Sequence, residues 1–218
     1  GQSTVVTGEF CGKTLSEYVE AVGKEALGEK AKKFSYFPLL IKFIDAAQDL
    51  SIQVHPNDDL AKERHNSFGK TELWYVMDAD ENAELIDGFS KDITPEYYQK
   101  TLEADKILNC MNTEKAQKGD VFFIPAGRVH ALGKGLLIAE IQQTSDTTYR
   151  IFDYNRTDSE GNPRELHTQE ALAAIDFGAT LNAKTQYEYR KNATVKLAEC
   201  PYFTTNMIAF DQPLKKDF

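Results

Sequence analysis

The sequence predicts a mainly β fold, a sandwich or barrel of short strands with a few flanking helices. Three observations carry this. From Thr71 onward, short runs rich in β-branched and aromatic residues recur over 71–78, 83–88, 121–125, 136–143 and 148–154. Glycine, proline, asparagine and aspartate punctuate the gaps, as at Lys118-Gly119-Asp120, a turn before the strand Val121 to Ile124. Helical spacing is confined to a few short stretches between those runs.

In chain order, residues 1–13 are extended and polar. Thr14-Leu15-Ser16-Glu17 reads as a capping box, with Thr14 at the N-cap and Glu17 at N3. Leu15, Tyr18, Val19, Val22 and Ala26 then recur at helical spacing, and Gly28 fits the stop. Lys30 to Lys33 is a basic run expected in a solvated loop. Pro38 to Ile44 reads as a buried strand interrupted by Lys42, which shares a face with Leu40 and Ile44. That lysine either snorkels to water or faces a polar cavity. Leu50 to His55 is a second strand, ended by Pro56, which has no N–H for a ladder. Asp58 to His65 forms a short helix with His65 at its surface. Gly69-Lys70-Thr71-Glu72 leads into the strand Leu73 to Met77. Thr94 caps a helix with Pro95 at N1 that runs to about Ala104. A further helix spans Thr168 to Ile175, and His167 before it is expected in a capping or surface role. Near Ala193 a new strand pattern starts with Thr194 to Leu197 and resumes with Tyr202 to Thr204.

Composition narrows the class. The chain has 218 residues, 41% apolar and 27% charged, enough for one large globular domain or slightly more. No apolar run approaches the roughly 20 residues of a membrane span, and the start GQSTVVTGEF lacks the basic head and apolar centre of a signal peptide. Cys11, Cys110 and Cys200 are scattered and odd in number, which argues for free thiols in a reducing, cytoplasmic setting. The net charge of −9 disfavours nucleic acid and anionic membranes as partners. If such a chain binds an anionic small molecule, it must gather lysine, arginine or a metal ion at the site.

Gln53 and His55 lie two apart in a strand, so an amide oxygen and an imidazole share one face while Ile52 and Val54 take the other. Glu72 opens a later strand and His130 closes the turn Pro125-Ala126-Gly127-Arg128-Val129. An amide oxygen, two imidazoles and a carboxylate make an N/O set suited to zinc or a neighbouring divalent metal. Each has an ordinary role when taken alone. His55 and His130 could be satisfied structural histidines, Glu72 a strand-edge carboxylate, and amides are poor ligands.

These residues also carry a resemblance. QVHP, GKTELWYV, FFIPAGRVHALG and SDTTYRIFDYNR, in that order, resemble type I phosphomannose isomerases, the mannose-6-phosphate isomerases, over roughly Thr7 to Phe210. The resemblance implies a cupin fold, a double-stranded β-helix or jelly-roll barrel, and one zinc ion per chain held by Gln53, His55, Glu72 and His130. The pair here is Gln-x-His rather than the His-x-His usual in other cupins. By the same resemblance Arg150 is the active-site arginine, Lys70 and Asp146 are acid/base candidates, and Ser51 and Lys42 hold the phosphate. The implied reaction interconverts mannose 6-phosphate and fructose 6-phosphate.

Two other readings compete. An iron-dependent cupin oxygenase would share barrel and metal, but such enzymes rely on His-rich sites, against Gln53. A non-catalytic sugar-binding cupin would not need Lys70, Asp146 and Arg150. Family members also start earlier, with a Trp-Gly-Gly strand, and run on into a second cupin domain. The expectation is therefore a catalytic metal-binding domain over 1–192 and the start of a second, truncated cupin-like domain over 193–218. Strands cut off from their partners leave open edges, so that tail is expected to be mobile or to pair two copies into a homodimer.

Overall fold

Local signals set where the elements begin. In the computed structural model, which describes residues 3–23, 27–29, 34 and 36–215, Thr14 caps α1 (Leu15–Val22) in a full capping box with Glu17. Gly23, at φ 79°, closes that helix, one turn before the expected stop at Gly28. A left-handed φ costs glycine nothing and ends the i→i−4 ladder at once. Ala26 and the Lys30–Lys33 run lie outside the described residues. Residues 1–39 form one unit, in which Thr4 bridges Thr14 and the rings of Phe10 and Tyr18 meet edge to face at 5.3 Å.

Residues 40–218 form the second unit. Its elements are β1 (Leu39–Asp45, its first residue at the boundary), β2 (Ile52–Val54), α2 (Asp58–His65), β3 (Glu72–Ala79), β4 (Glu84–Phe89), α3 (Pro95–Glu103), a 3₁₀ turn (Ile107–Cys110), β5 (Met111–Lys115), β6 (Val121–Ile124), β7 (His130–Leu132), β8 (Leu136–Gln143), β9 (Tyr149–Phe152), α4 (Thr168–Ala174), β10 (Thr194–Glu199) and β11 (Thr204–Ile208). Asn57 caps α2 from the Leu60 N–H, and Thr94 with Pro95 opens α3 as expected. The polar β5 and the three-residue β7 carry too few apolar residues to be read as strands in advance.

Four strands make one sheet, in the order β1-β8-β3-β6, and five make another, in the order β5-β4-β7-β2-β9. In the first, β3 pairs antiparallel with β6 and β8. In the second, β2 pairs antiparallel with β7 and β9, and β4 with β5 and β7. Trp74, Val76, Phe122 and Ile138 of the first sheet pack with Leu85 and Leu132 of the second. The second sheet's other face, with Ile52, Val54, Ile86 and Ile151, packs on Tyr98 of α3 and Ala171 of α4. The five-stranded sheet is therefore the middle of three layers.

The expected cupin barrel does not form. The fold is mixed, two open antiparallel sheets plus helices, and among the described residues no strand pair joins an edge of one sheet to an edge of the other. Inside-outside alternation is the same in a barrel and in two facing sheets; only edge pairing separates them, and alternation does not encode it. The edges here are met by irregular chain. Thr185 N–H donates to Val121 of β6, and His167 N–H to Arg150 of β9. β10 and β11 form a separate two-stranded sheet. Among the described residues no helix is long and apolar enough to cross a membrane, and Cys11, Cys110 and Cys200 are free thiols.

Candidate metal centre and adjoining cavity

Strand alternation and pairing bring the polar residues between the two sheets. Ile52 and Val54 are fully buried on the helix side, so Gln53 and His55 face the other sheet. Gln53 pairs with His130 on β7 and with Arg150 on β9, and His130 pairs with Asp87 on β4. Residues directly opposite in a ladder share a face, which sets Asp87, His130, Gln53 and Arg150 in one row. On the facing sheet Glu72 pairs with Ile124 and Gln142, and Trp74 with Phe122 and Glu140.

His55, Glu72 and His130 converge. One potential ligand atom from each lies within 4.8 Å of the others, and all three side chains are buried. Glu72 Oε1 is 3.2 Å from His130 Nε2, and Oε2 is 3.7 Å from His55 Nε2. The Thr147 carbonyl lies 3.0 Å from His55 Nδ1, and the Arg128 carbonyl 2.8 Å from His130 Nδ1. A carbonyl only accepts, so each Nδ1 carries the proton and each Nε2 turns a bare lone pair to the centre. His55 Nε2 and Glu72 Oε1 are buried without a hydrogen-bond partner, and Glu72 Oε2 is met by the Lys70 ammonium at 3.1 Å. Two orphaned acceptors facing each other, with the bare Nε2 of His130 beside them, are costly unless a cation joins them, so the residues present fit a divalent metal.

Gln53 reaches the same place, with Nε2 3.4 Å from His130 Nε2. Half a turn of the amide puts Oε1 there instead. Burial pushes the Glu72 carboxyl up to about 7, against the pull of Lys70. Burial holds the His130 imidazole down to about 4 and keeps His55 well below the ordinary range, with Lys70 adding to the effect on His55. Neutral imidazoles are the form that binds metal.

Beside the cluster lies a cavity of about 220 Å³ whose lining includes Lys42, Gln53, Lys70, Trp74, Glu140 and Thr148. Its charged lining is two cations and one carboxylate. Lys42 Nζ donates to Glu140 Oε1 at 2.8 Å and to Gln142 Oε1 at 2.7 Å, and Trp74 Nε1 donates to Glu140 Oε2 at 3.1 Å. Burial raises the Glu140 carboxyl, but Lys70 and Lys42 outweigh it and hold the group below its ordinary range. Lys70 is 5% exposed, with Nζ 3.1 Å from Glu72 Oε2. A larger groove, about 490 Å³, is lined by Asp45, Asp49, Asp80, Glu81 and Glu84 with Lys134 as its one cation. That field repels phosphate esters.

The sequence-derived candidates are thus placed as follows. Gln53, His55, Glu72 and His130 meet, with Lys70 against Glu72 and Lys42 in the wall of the cavity. Arg150 stands at the open edge of the row, and its Nη1 donates to the Glu165 carbonyl at 2.8 Å. Ser51 is buried, but it is outside the cavity lining, and Asp146 is exposed and also outside it. Glu140, Gln142, Trp74 and Asp87 were not singled out in the sequence. A signal existed for two of them. Leu136 and Ile138 set an inward phase along β8, and Glu140 and Gln142 continue it.

Comparison with known proteins bears on this centre. The model of the phosphomannose isomerase type I catalytic domain matches residues 1–86. A mannose-6-phosphate isomerase of Bacillus subtilis is 41% identical over 207 residues, covering 94% of this chain and 64% of that protein. One from Streptococcus mutans is 38% identical over 205 residues, with the same two coverages. The crystal structure of a mannose 6-phosphate isomerase from Bacillus subtilis superposes with a TM-score of 0.82 at 37% identity, covering 94% of this chain and 65% of that one. The chain therefore spans a little under two thirds of the length of these relatives.

Proposed function

Because the chain matches the type I mannose-6-phosphate isomerase family by family model, curated relatives and solved structure, we propose that it interconverts mannose 6-phosphate and fructose 6-phosphate at the cavity beside the His55–Glu72–His130 cluster. The observation that carries this reading is the cluster itself, three buried side chains with their acceptors turned to one another, adjoining a cavity that holds both cations and a carboxylate. An aldose–ketose isomerisation moves a proton between adjacent carbons through an enediol, and needs those three things together.

Gln53, His55, Glu72 and His130 would hold the metal, and their N/O character favours zinc. Zinc bound there supplies a Lewis acid for the sugar carbonyl. Lys42 and Lys70 draw the phosphate ester into an otherwise acidic molecule. Glu140, kept ionised by those two lysines, takes a proton from carbon, and the Lys70 ammonium can return one. Arg150 stays cationic at any working pH and stabilises the enediolate from the edge of the row. Asp146, outside the cavity lining, has no step here.

The test is metal content together with a coupled isomerase assay on the purified chain. One zinc per chain and turnover of mannose 6-phosphate are expected. His55→Ala and His130→Ala should each lose the metal and the activity, since water replaces an imidazole poorly. Full metal retention in both variants, or metal-loaded protein without turnover, would sink the reading.

A further inference from the structure

β9 is the outer strand of its sheet, and such a strand presents unpaired N–H and C=O groups. At Arg150 this edge is closed by chain that folds back from beyond it. His167 N–H donates to the Arg150 carbonyl at 2.8 Å, and the Arg150 N–H donates to His167 Nδ1 at 3.0 Å. The Glu165 carbonyl accepts from Arg150 Nη1 at 2.8 Å. The fold-back is itself anchored, by a bridge between Thr157 and Pro163 and by Arg164 on Asp153. Arg150 Nε is buried and has no hydrogen-bond partner, so the guanidinium keeps unspent donor capacity.

An imidazole nitrogen stands where a ladder would place a carbonyl. A carbonyl accepts at every pH; Nδ1 accepts only when it is unprotonated. We propose that His167 is a positioning residue for Arg150: its neutral ring completes the edge of β9 and, with the Glu165 carbonyl, fixes where the guanidinium points. This rests on the reading of Arg150 as the cation serving the enediolate. It goes beyond that reading in making the arginine's placement depend on the protonation of a second residue.

The charged and titratable groups around the ring are few. On its own segment, the Glu165 carboxylate lies 4.0 Å from Nε2. From β9 come Arg150, whose N–H the ring accepts, and the Tyr149 ring, 6.3 Å away. The Tyr149 hydroxyl lies 2.8 Å from His65 Nε2 on α2. Arg64 of α2 reaches the Glu170 carbonyl on α4. Protonating His167 removes the acceptor for the Arg150 N–H and sets two cations side by side.

Two variants of the full chain test this. His167→Asn keeps an acceptor oxygen near the Nδ1 position and cannot titrate; His167→Ala removes the acceptor. The primary readout is the exchange protection of the Arg150 amide by NMR at pH 7.5 and pH 5.5, with β3 and β8 amides as controls. In the parent the protection should fall about tenfold on acidification, the loss of one ordinary hydrogen bond. The Asn variant should hold it at both pH values and the Ala variant at neither. In the isomerase assay the Ala variant should lose kcat at unchanged metal content. The Asn variant should restore it and flatten the acid limb of the pH profile. Equal protection of the Arg150 amide in parent and Ala variant, or pH-independent protection in the parent, overturns the proposal. If the Ala variant does not fold, the comparison of Asn variant with parent across pH still decides. A parent chain without isomerase activity would overturn the proposed function, while the exchange measurement still reads the contact.

Discussion

Asp153 is buried, yet its carboxyl is held below the ordinary range, first by Arg164 and then by Arg156, against the cost of burial. Arg164 donates to both its oxygens, at 2.7 and 2.5 Å, and Arg156 donates to one of them. A depressed folded-state value stabilises the fold above the unfolded carboxyl's own value of about 3.9 and is lost as pH falls through the folded one. Asp153→Asn should therefore cost about 1–2 kcal/mol at pH 7, discounted for two partly exposed arginines. The Tm difference from the parent should shrink towards zero by pH 3; a constant difference would show that shape, not charge, matters there. Glu140 gives a second prediction at this scale. Glu140→Gln should lower kcat by about 10²–10⁴ while metal content stays at the parent level, and unchanged kcat would remove it from proton transfer. The site residues were unequally visible. Gln53 and His55 stood out because polar groups two apart in an apolar strand demand a reason. A carboxylate at position 140 in Leu136–Gln143 is noticed only when the inward phase of that strand is known.

At the scale of elements, the passage from α2 into β3 decides where Lys70 and Glu72 stand. Gly69 runs against the start of α2 so closely that a Cβ there would lie 2.5 Å from the Asp58 backbone nitrogen and 2.6 Å from the Asn57 carbonyl carbon. Its own N–H donates to Asp58 Oδ1, and the next N–H, of Lys70, donates to the Pro56 carbonyl. Backbone cannot swing aside as a side chain can, so Gly69→Ala must push the two segments apart. We expect a loss of about 1–3 kcal/mol in urea unfolding, and weaker metal binding as Glu72 shifts from the two imidazoles. Parent-like stability and metal affinity would mean that the approach is softer than the distances imply. Helix starts were legible because a capping residue announces itself locally, as Thr14 and Thr94 do. Strand partners were not, since β2 contacts β9 across nearly a hundred residues and no local pattern specifies that pairing.

At the scale of the whole molecule, the least supported element is the hairpin of β10 and β11. Among the described residues its strands pair only with each other, apart from a bridge between Lys191 and Ala209 that extends the same module. Val195, Leu197 and Phe203 are buried, so it keeps a small apolar footing. A side-chain tie leads elsewhere, from the Tyr202 hydroxyl to Asp58 Oδ2 at 2.8 Å, on the first residue of α2. A lone two-stranded sheet is marginal in water, and segments with few buried contacts open below the global unfolding free energy. We propose that residues from about 193 behave as the start of a further module, opening independently of the two facing sheets. Hydrogen exchange on the chain at several concentrations should show β10 and β11 exchanging faster than β3 and β8 at every concentration. Tyr202→Phe should speed that exchange about fivefold to tenfold, the worth of a hydrogen bond to a carboxylate at a partly exposed site, and leave β3 and β8 untouched. Protection of the hairpin that grows with concentration would instead show two chains pairing through it. Protection equal to that of β3 in a dilute monomer would show that Val195, Leu197, Phe203 and Tyr202 are enough to join it to the main cooperative unit.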